Sequence, residues 1–96
     1  MDIDTAKSCV GPGWHALLDA FYFILPSCVR VVGVKEKWGG LRIDLDSADV
    51  HSWGLVELIE ARSLTICELC GRPGTPGGKG WIKTLCEECR NERNQP

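Results

Sequence analysis

The sequence predicts a small α+β domain that ends in a four-cysteine metal module. Three observations support this fold class: a helical apolar period near the N-terminus, two β-rich segments around a glycine turn, and two C-x2-C motifs near the C-terminus. The predicted order is a helix, an antiparallel β-hairpin, a second helix and then zinc knuckles, with the helices covering one face of the sheet. At 96 residues the chain can form one domain with a modest core.

The first predicted helix covers residues 14–25. Apolar side chains recur there at helical spacing, at Trp14, Leu17, Leu18, Phe21, Ile24 and Leu25. Pro12 is compatible with the first turn of this helix, whereas Pro26 cannot continue it. Residues 1–10 precede the glycine-rich start of the helix and are expected to be a flexible N-terminus.

Two short segments with β-type patterns follow the first helix. β-branched residues dominate 29–37, and apolar and charged residues alternate over 41–46, so we predict two strands joined by a turn at 38–40. The alternation implies an antiparallel hairpin with one face in solvent. This hairpin and its neighbours form the predicted core, residues 11–65.

A second helix is predicted over residues 50–64. In the segment 47–49, the side chains of Ser47 and Asp49 are suitable N-terminal caps for it. Its inner side is expected to include Trp53, Val56 and Ile59.

Four cysteines form the most specific motif in the chain. Cys67 and Cys70 make one C-x2-C pair, Cys86 and Cys89 make the other, and 15 residues separate the pairs. Each pair lets two sulfurs of one tight turn reach a single metal, and two pairs complete the tetrahedron of a structural Zn²⁺ with no position open to water. The sequence therefore predicts one structural zinc ion.

The zinc module is predicted to span residues 66–90 and to pack on the core. Glycine and proline are frequent over 72–80, which indicates a loop between the knuckles. Residues 91–96 are polar and are expected to be a flexible tail.

Two other interpretations use the same four cysteines: two disulfides, or a redox-active pair. The N-terminus is acidic where a secretory signal would be basic, and no apolar run is long enough to cross a bilayer, so we expect a cytoplasmic protein without a membrane partner. Paired C-x2-C motifs in the cytoplasm favour a metal. Cys9 and Cys28 lie apart from the cluster and are expected to be small buried residues.

No catalytic constellation is recognisable, and we predict that the chain is not an enzyme. Neither His15 nor His51 follows a C-x2-C pair at ligand spacing, and the histidines that a zinc deaminase or a His-Asn-His nuclease requires are missing. The P-loop, G-x-S-x-G and Rossmann motifs are also missing. Asp44 and Asp46 could hold a hard cation but have no third ligand in frame.

Cations and tryptophans are the candidate partner-binding residues. They are Arg30, Lys35, Lys37, Trp38 and Arg42 on the hairpin, and Lys79, Trp81 and Lys83 between the knuckles. Cations beside an aromatic are typical of nucleic-acid binding, but the same charges also occur on a solvated sheet face. Trp81 either contacts a partner or covers the zinc site. The net charge of −2 argues against phosphate binding as the main task.

Three motifs resemble a group of small zinc-binding proteins of phages, prophages and bacterial genomes. They are G-x-G-W at 11–14, VKEK-W-GGLR at 34–42, and E-A-x-S, C-x-x-C-G and W-x-x-T-L-C within 60–86. The similarity spans about residues 11–89. Members of the group often have histidine as the last ligand, where this chain has Cys89. The resemblance implies a phage or mobile-element setting and no particular enzymatic activity.

Together these features predict a non-enzymatic, zinc-stabilised protein that acts by protein–protein interaction. In a phage setting it would act on a host protein complex, as an inhibitor of a defence system such as CRISPR, which is an analogy with other small acidic phage proteins. The alternative is a nucleic-acid-binding, zinc-ribbon-like module that uses Arg30, Lys35, Lys37, Arg42, Lys79 and Lys83.

Overall fold

The computed structural model describes residues 1–93 and contains the predicted mixture of helices and antiparallel strands. The helices are α1 (Ile3–Ser8), α2 (His15–Ile24), α3 (Val50–Ser63) and α4 (Glu87–Arg93), and the strands are β1 (Arg30–Lys37), β2 (Gly40–Asp46), β3 (Thr75–Gly77) and β4 (Lys83–Leu85). A single 3₁₀ turn, Pro12–Trp14, leads into α2. β1 pairs with β2 and β3 pairs with β4, both antiparallel. No helix within the described range is both long and apolar enough to span a membrane.

The main core lies between α2, α3 and the inner face of the β1–β2 hairpin. α2 and the turn before it contribute Trp14, Leu18 and Phe21, and α3 contributes Val56 and Ile59. The inner face of the hairpin contributes Val31, Val34, Leu41, Ile43 and Leu45. The predicted arrangement of helices over one face of a small sheet is therefore confirmed.

A two-residue turn, Trp38–Gly39, joins β1 to β2. Lys37 pairs with Gly40 across the turn, and φ is +56° at Trp38 and +80° at Gly39. Positive φ at both central positions is characteristic of a type I′ turn, which normally takes Asn-Gly because few other residues tolerate the first position. A tryptophan in that position strains the backbone of the turn.

Helix α3 is close to its predicted limits but faces the core differently. Asp49 caps it, because its Oδ1 accepts the backbone N–H of Ser52 at 2.9 Å. Val56 and Ile59 are buried as expected, whereas Trp53 is 41% exposed. The buried positions of α3 are Ser52, Val56, Ile59 and Ser63, so a serine occupies the inward position that the prediction gave to Trp53.

The N-terminal residues include a short helix that the sequence pattern did not predict. Helix α1 lies within residues 1–10, Asp2 caps it through the N–H of Thr5 at 2.8 Å, and Ala6 is fully buried against the core. Tyr22 on α2 donates a hydrogen bond to the carbonyl of Met1 at 3.1 Å. Six residues are too few for a clear helical period, which is why the pattern did not indicate α1.

The C-terminal module contains more regular structure than the sequence indicated. The expected loop over 72–80 includes β3, and the start of the expected flexible tail, 91–93, belongs to α4. β3 consists of Thr75, Pro76 and Gly77, and proline and glycine are both unfavourable in strands. It is a strand because it pairs with β4. The remainder of the predicted tail, 94–96, lies outside the described residues.

Candidate functional site

The four predicted ligand cysteines come together at one point. The sulfurs of Cys67, Cys70, Cys86 and Cys89 all lie within 4.8 Å of one another, and the Sγ atoms of Cys70 and Cys86 are 3.6 Å apart. A tetrahedron with metal–sulfur bonds of about 2.3 Å has sulfur–sulfur edges of about 3.8 Å. The sulfurs are therefore spaced for one metal ion, and no disulfide joins the six cysteines of the described chain.

The first knuckle is shaped by its own backbone hydrogen bonds. The N–H of Cys67 donates to the carbonyl of Arg72 at 2.7 Å, and the N–H of Gly71 donates to the carbonyl of Cys67 at 2.9 Å. Gly71 has φ of +84°, a conformation that a Cβ would disfavour. In the second knuckle the N–H of Cys89 donates to the Sγ of Cys86 at 3.4 Å.

The thiol of Cys67 is poised to ionise. Burial opposes its ionisation, but the backbone N–H groups of Cys86, Cys70 and Leu69 outweigh this and lower the pKa of Cys67 from 9.0 to about 6. Hydrogen bonding with Cys86 raises the pKa of Cys89 in the same cluster. A lowered pKa favours the thiolate, which is the form of cysteine that ligates a metal.

The segment before α2 packs directly on the first knuckle. The N–H of Gly13 donates to the carbonyl of Glu68 at 2.9 Å, and the indole N–H of Trp14 donates to the carbonyl of Ile66 at 3.0 Å. A Cβ on Gly13 would overlap the carbonyl oxygen of Cys67, and a Cβ on Gly11 would overlap that of Glu68. Glycines at these two positions therefore allow backbone to lie against backbone.

Lys83 links a buried carboxylate of the metal module to a carboxylate of the main hairpin. Lys83 on β4 lies 2.7 Å from Oε1 of Glu68 and 3.5 Å from Oε1 of Glu36 on β1. The side chain of Glu68 is only 6% exposed. Lys83 was a candidate for partner binding, but the structure gives its charge two internal carboxylate partners.

A second buried contact joins the same two parts. The hydroxyl of Thr84, which is fully buried on β4, donates to the carbonyl of Gly39 at 2.6 Å. A Cβ on Gly39 would lie 3.2 Å from the N atom of Thr84, so the turn of the hairpin fits closely against β4. These contacts fix the tip of the hairpin relative to the cysteine cluster.

Both candidate tryptophans are exposed and line the same groove. Trp38 is 62% exposed and Trp81 is 68% exposed. They border a groove of about 340 Å³ together with Glu36, Lys37, Gly80 and Ile82, which we call the tryptophan groove. Trp81 therefore does not serve as the apolar cover of the cysteine cluster, which was one of its two predicted roles.

The hairpin cations share the solvent face of the sheet but differ in their partners. In the register of the two strands, Lys35 lies opposite Arg42 and Arg30 lies opposite Asp46. Arg42 also lies 3.5 Å from Oε1 of Glu60 on α3. The tip of this face, at Lys35 and Lys37, is thus more positive than its far end, where Asp44 and Asp46 accompany Arg30.

Lys79 lies in a different region from the hairpin cations. It borders a groove of about 570 Å³ with Trp81, Lys83, Arg90 and Arg93, which we call the basic groove. The sequence interpretation missed Arg90 and Arg93. Their spacing of three would have placed them on one helical face had α4 been predicted.

The remaining cysteines lie away from the cluster. Cys9 and Cys28 were expected to be buried, and this was wrong, because both are exposed. Cys9 belongs to the end of the unpredicted helix α1, where its sulfur lies 3.3 Å from the carbonyl of Thr5.

Comparisons with protein-family models, with curated proteins and with solved structures found no match. The function is therefore inferred from the residues of the site.

Proposed function

We propose that this chain is a non-enzymatic binding protein, stabilised by one zinc ion, that contacts a partner protein through the tryptophan groove. The observation that carries the proposal is that Trp38 and Trp81, two exposed tryptophans from separate elements, line one groove. Tryptophan is among the most frequent hot-spot residues of protein interfaces, because it contributes a large apolar area with few rotatable bonds.

Backbone strain at Trp38 supports a role in binding. A bulky residue at φ of +56° is costly, and Asn or Gly would fit this turn better. Strain of this kind tends to persist where the side chain is needed for function. Lys37 borders the same groove, and Lys35 lies two residues before it on the exposed face of β1. The expected partner segment therefore presents an apolar side chain flanked by acids.

Zinc is the metal that the donor set favours. Four thiolates in a tetrahedron are typical of structural zinc sites and leave no position for a reacting water. Four thiolates and one Zn²⁺ together add about −2 to the charge of the protein. This closed ligand set supports a structural role for the metal and a non-enzymatic role for the protein.

The biological setting is proposed from the resemblance to phage-type zinc proteins. In that setting the partner is a host protein complex in the cytoplasm, and binding inhibits a defence system of the CRISPR kind. The support is the overall acidity of a small chain with an exposed aromatic groove, together with the sequence motifs that carry the resemblance.

Affinity capture tests the proposed contact surface. The tagged protein is incubated with host lysate, with and without nuclease, and bound proteins are identified by mass spectrometry. We expect a discrete complex that survives nuclease and that is lost with Trp38→Ala or with the combined change of Lys35, Lys37 and Trp38 to alanine. Trp53→Ala is the matched control, since Trp53 is also exposed but lies on α3. Equal capture by all variants would contradict the proposal.

Nucleic-acid binding is the second candidate function. One observation favours it, namely that Lys79 lies in one groove with Arg90 and Arg93 beside an exposed tryptophan. In this candidate function, the cations of the metal module make the main contact with nucleic acid, and those of the hairpin contribute less. A captured assembly that disappears on nuclease treatment would favour it over the protein partner.

A further inference from the structure

The basic groove combines positive charge with a free aromatic face. Its volume of about 570 Å³ lies within the range of sites that take small ligands or parts of larger ones. Its lining within residues 1–93 includes four cations and no carboxylate. This composition differs from that of the tryptophan groove, which contains Glu36.

Among residues 1–93, most cations of this groove have no carboxylate as an ion-pair partner. Lys83 is paired with Glu36 and Glu68. Across the described chain, no carboxylate lies within the 4.0 Å ion-pair distance of Lys79, Arg90 or Arg93. Within residues 1–93, Lys79, Arg90 and Arg93 therefore line one groove without an ion-pair partner, although the chain as a whole carries −2.

The guanidinium of Arg90 is held in position by backbone groups. Its Nη2 donates to the carbonyl of Thr75 at 2.6 Å and approaches that of Lys83 at 3.4 Å. Gly77 leaves room for it, since a Cβ there would lie 3.1 Å from Nη1. Carbonyl oxygens fix the side chain without cancelling its charge, so the remaining N–H groups are preorganised for an anion such as a phosphate.

Trp81 supplies a surface on which a planar group can stack. It is 68% exposed and lines the basic groove beside Lys79 and Arg93. Single-stranded nucleic acid is bound by this combination of backbone-tracking cations and exposed aromatic rings, whereas the bases of a duplex are already stacked on one another. We propose that the basic groove binds single-stranded nucleic acid, with a base on Trp81 and phosphates against Lys79, Arg90 and Arg93.

This inference develops the second candidate function and does not depend on the protein contact at Trp38. The two sites share only Trp81 among the aromatic residues, because Trp38 does not line the basic groove. Trp38→Ala should therefore abolish protein capture and leave nucleic-acid binding unchanged. Failure of one proposal is thus distinguishable from failure of the other.

Fluorescence anisotropy of the zinc-loaded full chain tests the proposal. The probe is a labelled oligothymidylate of about ten nucleotides, a length within the site sizes of single-strand binders, at about 50 mM salt. Trp81→Ala should weaken binding about tenfold, the effect of losing one base stack, while Trp81→Phe retains most of it. Lys79→Gln combined with Arg93→Gln should reduce the magnitude of the salt slope by about 1.4, at about 0.7 for each phosphate contact.

The matched control removes the same charge from another surface. Arg30→Gln with Lys35→Gln, on the exposed face of the hairpin, should leave both affinity and salt slope unchanged. Unfolding curves check that all variants remain folded. The proposal is overturned if the oligonucleotide does not bind, if the two double variants lose affinity equally, if duplex DNA binds as tightly, or if polyglutamate competes as well as the oligonucleotide.

Discussion

The backbone of Gly13 lies against the carbonyl of Cys67, so close that no side chain fits between them. The N–H of Gly13 also donates to the carbonyl of the next residue, Glu68, at 2.9 Å. Fifty-odd residues of chain separate these positions, and the contact brings the start of α2 to a metal-ligand turn. The N-terminal core and the cysteine cluster are therefore expected to unfold together.

Gly13→Ala tests this coupling. The added Cβ would overlap backbone, which cannot move aside as a side chain can, so we expect a loss of about 3 kcal/mol in the free energy of unfolding and weaker zinc retention. Chemical denaturation and competition with a chelator measure the two effects. Gly54→Ala is the control, since nothing lies near a Cβ there and the helix should gain about 0.5–1 kcal/mol. Retained stability in Gly13→Ala would contradict the close approach.

Two ion pairs of equal length should differ in their effect on stability. Lys83–Glu68 and Lys7–Asp19 both measure 2.7 Å, but Glu68 is 6% exposed and Asp19 is 57% exposed. Lys83→Met leaves the buried carboxylate without its cation and should cost about 3 kcal/mol. Lys7→Met should cost no more than about 0.5 kcal/mol.

A further variant separates the buried charge from lost packing. The second oxygen of Glu68 has no hydrogen-bond partner among residues 1–93, so its carboxylate depends on Lys83. Adding Glu68→Gln to Lys83→Met removes the unpaired charge and should restore part of the lost stability. Denaturation of the single and double variants measures this. Equal losses for Lys83→Met and Lys7→Met would show that burial does not matter here.

The buried hydroxyl of Thr84 should contribute to stability through the hairpin turn. Thr84→Val keeps the shape but removes the hydrogen bond to Gly39, leaving a buried carbonyl unpaired, and we expect a loss of about 1–2 kcal/mol. Thr65→Val is the control, because its hydroxyl donates to the carbonyl of Arg62 at an exposed position. Thermal unfolding distinguishes the two, and a Thr84 variant as stable as the Thr65 variant would count against a fixed hairpin tip.

Trp38→Asn should stabilise the protein while weakening partner binding. Asparagine tolerates positive φ, so the type I′ turn would lose its strain and the free energy of unfolding should rise by about 1 kcal/mol. Denaturation and affinity capture measure the two effects. Trp53→Asn, on α3, should not raise stability. A Trp38 variant that is less stable and still binds its partner would mean that the ring is needed for folding and not for contact.

The pattern of the sequence anticipated the parts of the fold that depend on periodicity. The spacing of Trp14, Leu18 and Phe21 identified α2, and the alternation from Leu41 to Asp46 identified β2, because burial of one face imposes those periods. The cysteine spacing likewise identified the cluster. The structure bears out these elements with shifts of one or two residues at their ends.

The features that the sequence did not reveal depend on tertiary contacts. β3 is three residues long and contains a proline, and α1 has six residues, so neither has a readable period. Trp53 faces outward because α3 is oriented by contacts at Val56 and Ile59, which local preference does not specify. The basic groove requires α4 to approach the loop before β4, and no spacing between Lys79 and Arg93 indicates that approach.

Native mass spectrometry of the purified chain measures how many metal ions the cysteine cluster binds. We predict about one zinc ion per chain, as the single tetrahedral site requires, retained in Cys28→Ser and lost in Cys67→Ser together with cooperative unfolding by chelator. Cys28 is the suitable control because it is exposed and lies away from the cluster. A metal-free chain that is as stable as the zinc-bound chain would contradict a structural zinc site. A chain whose mass shows the hydrogen loss of disulfides between these cysteines would also contradict it.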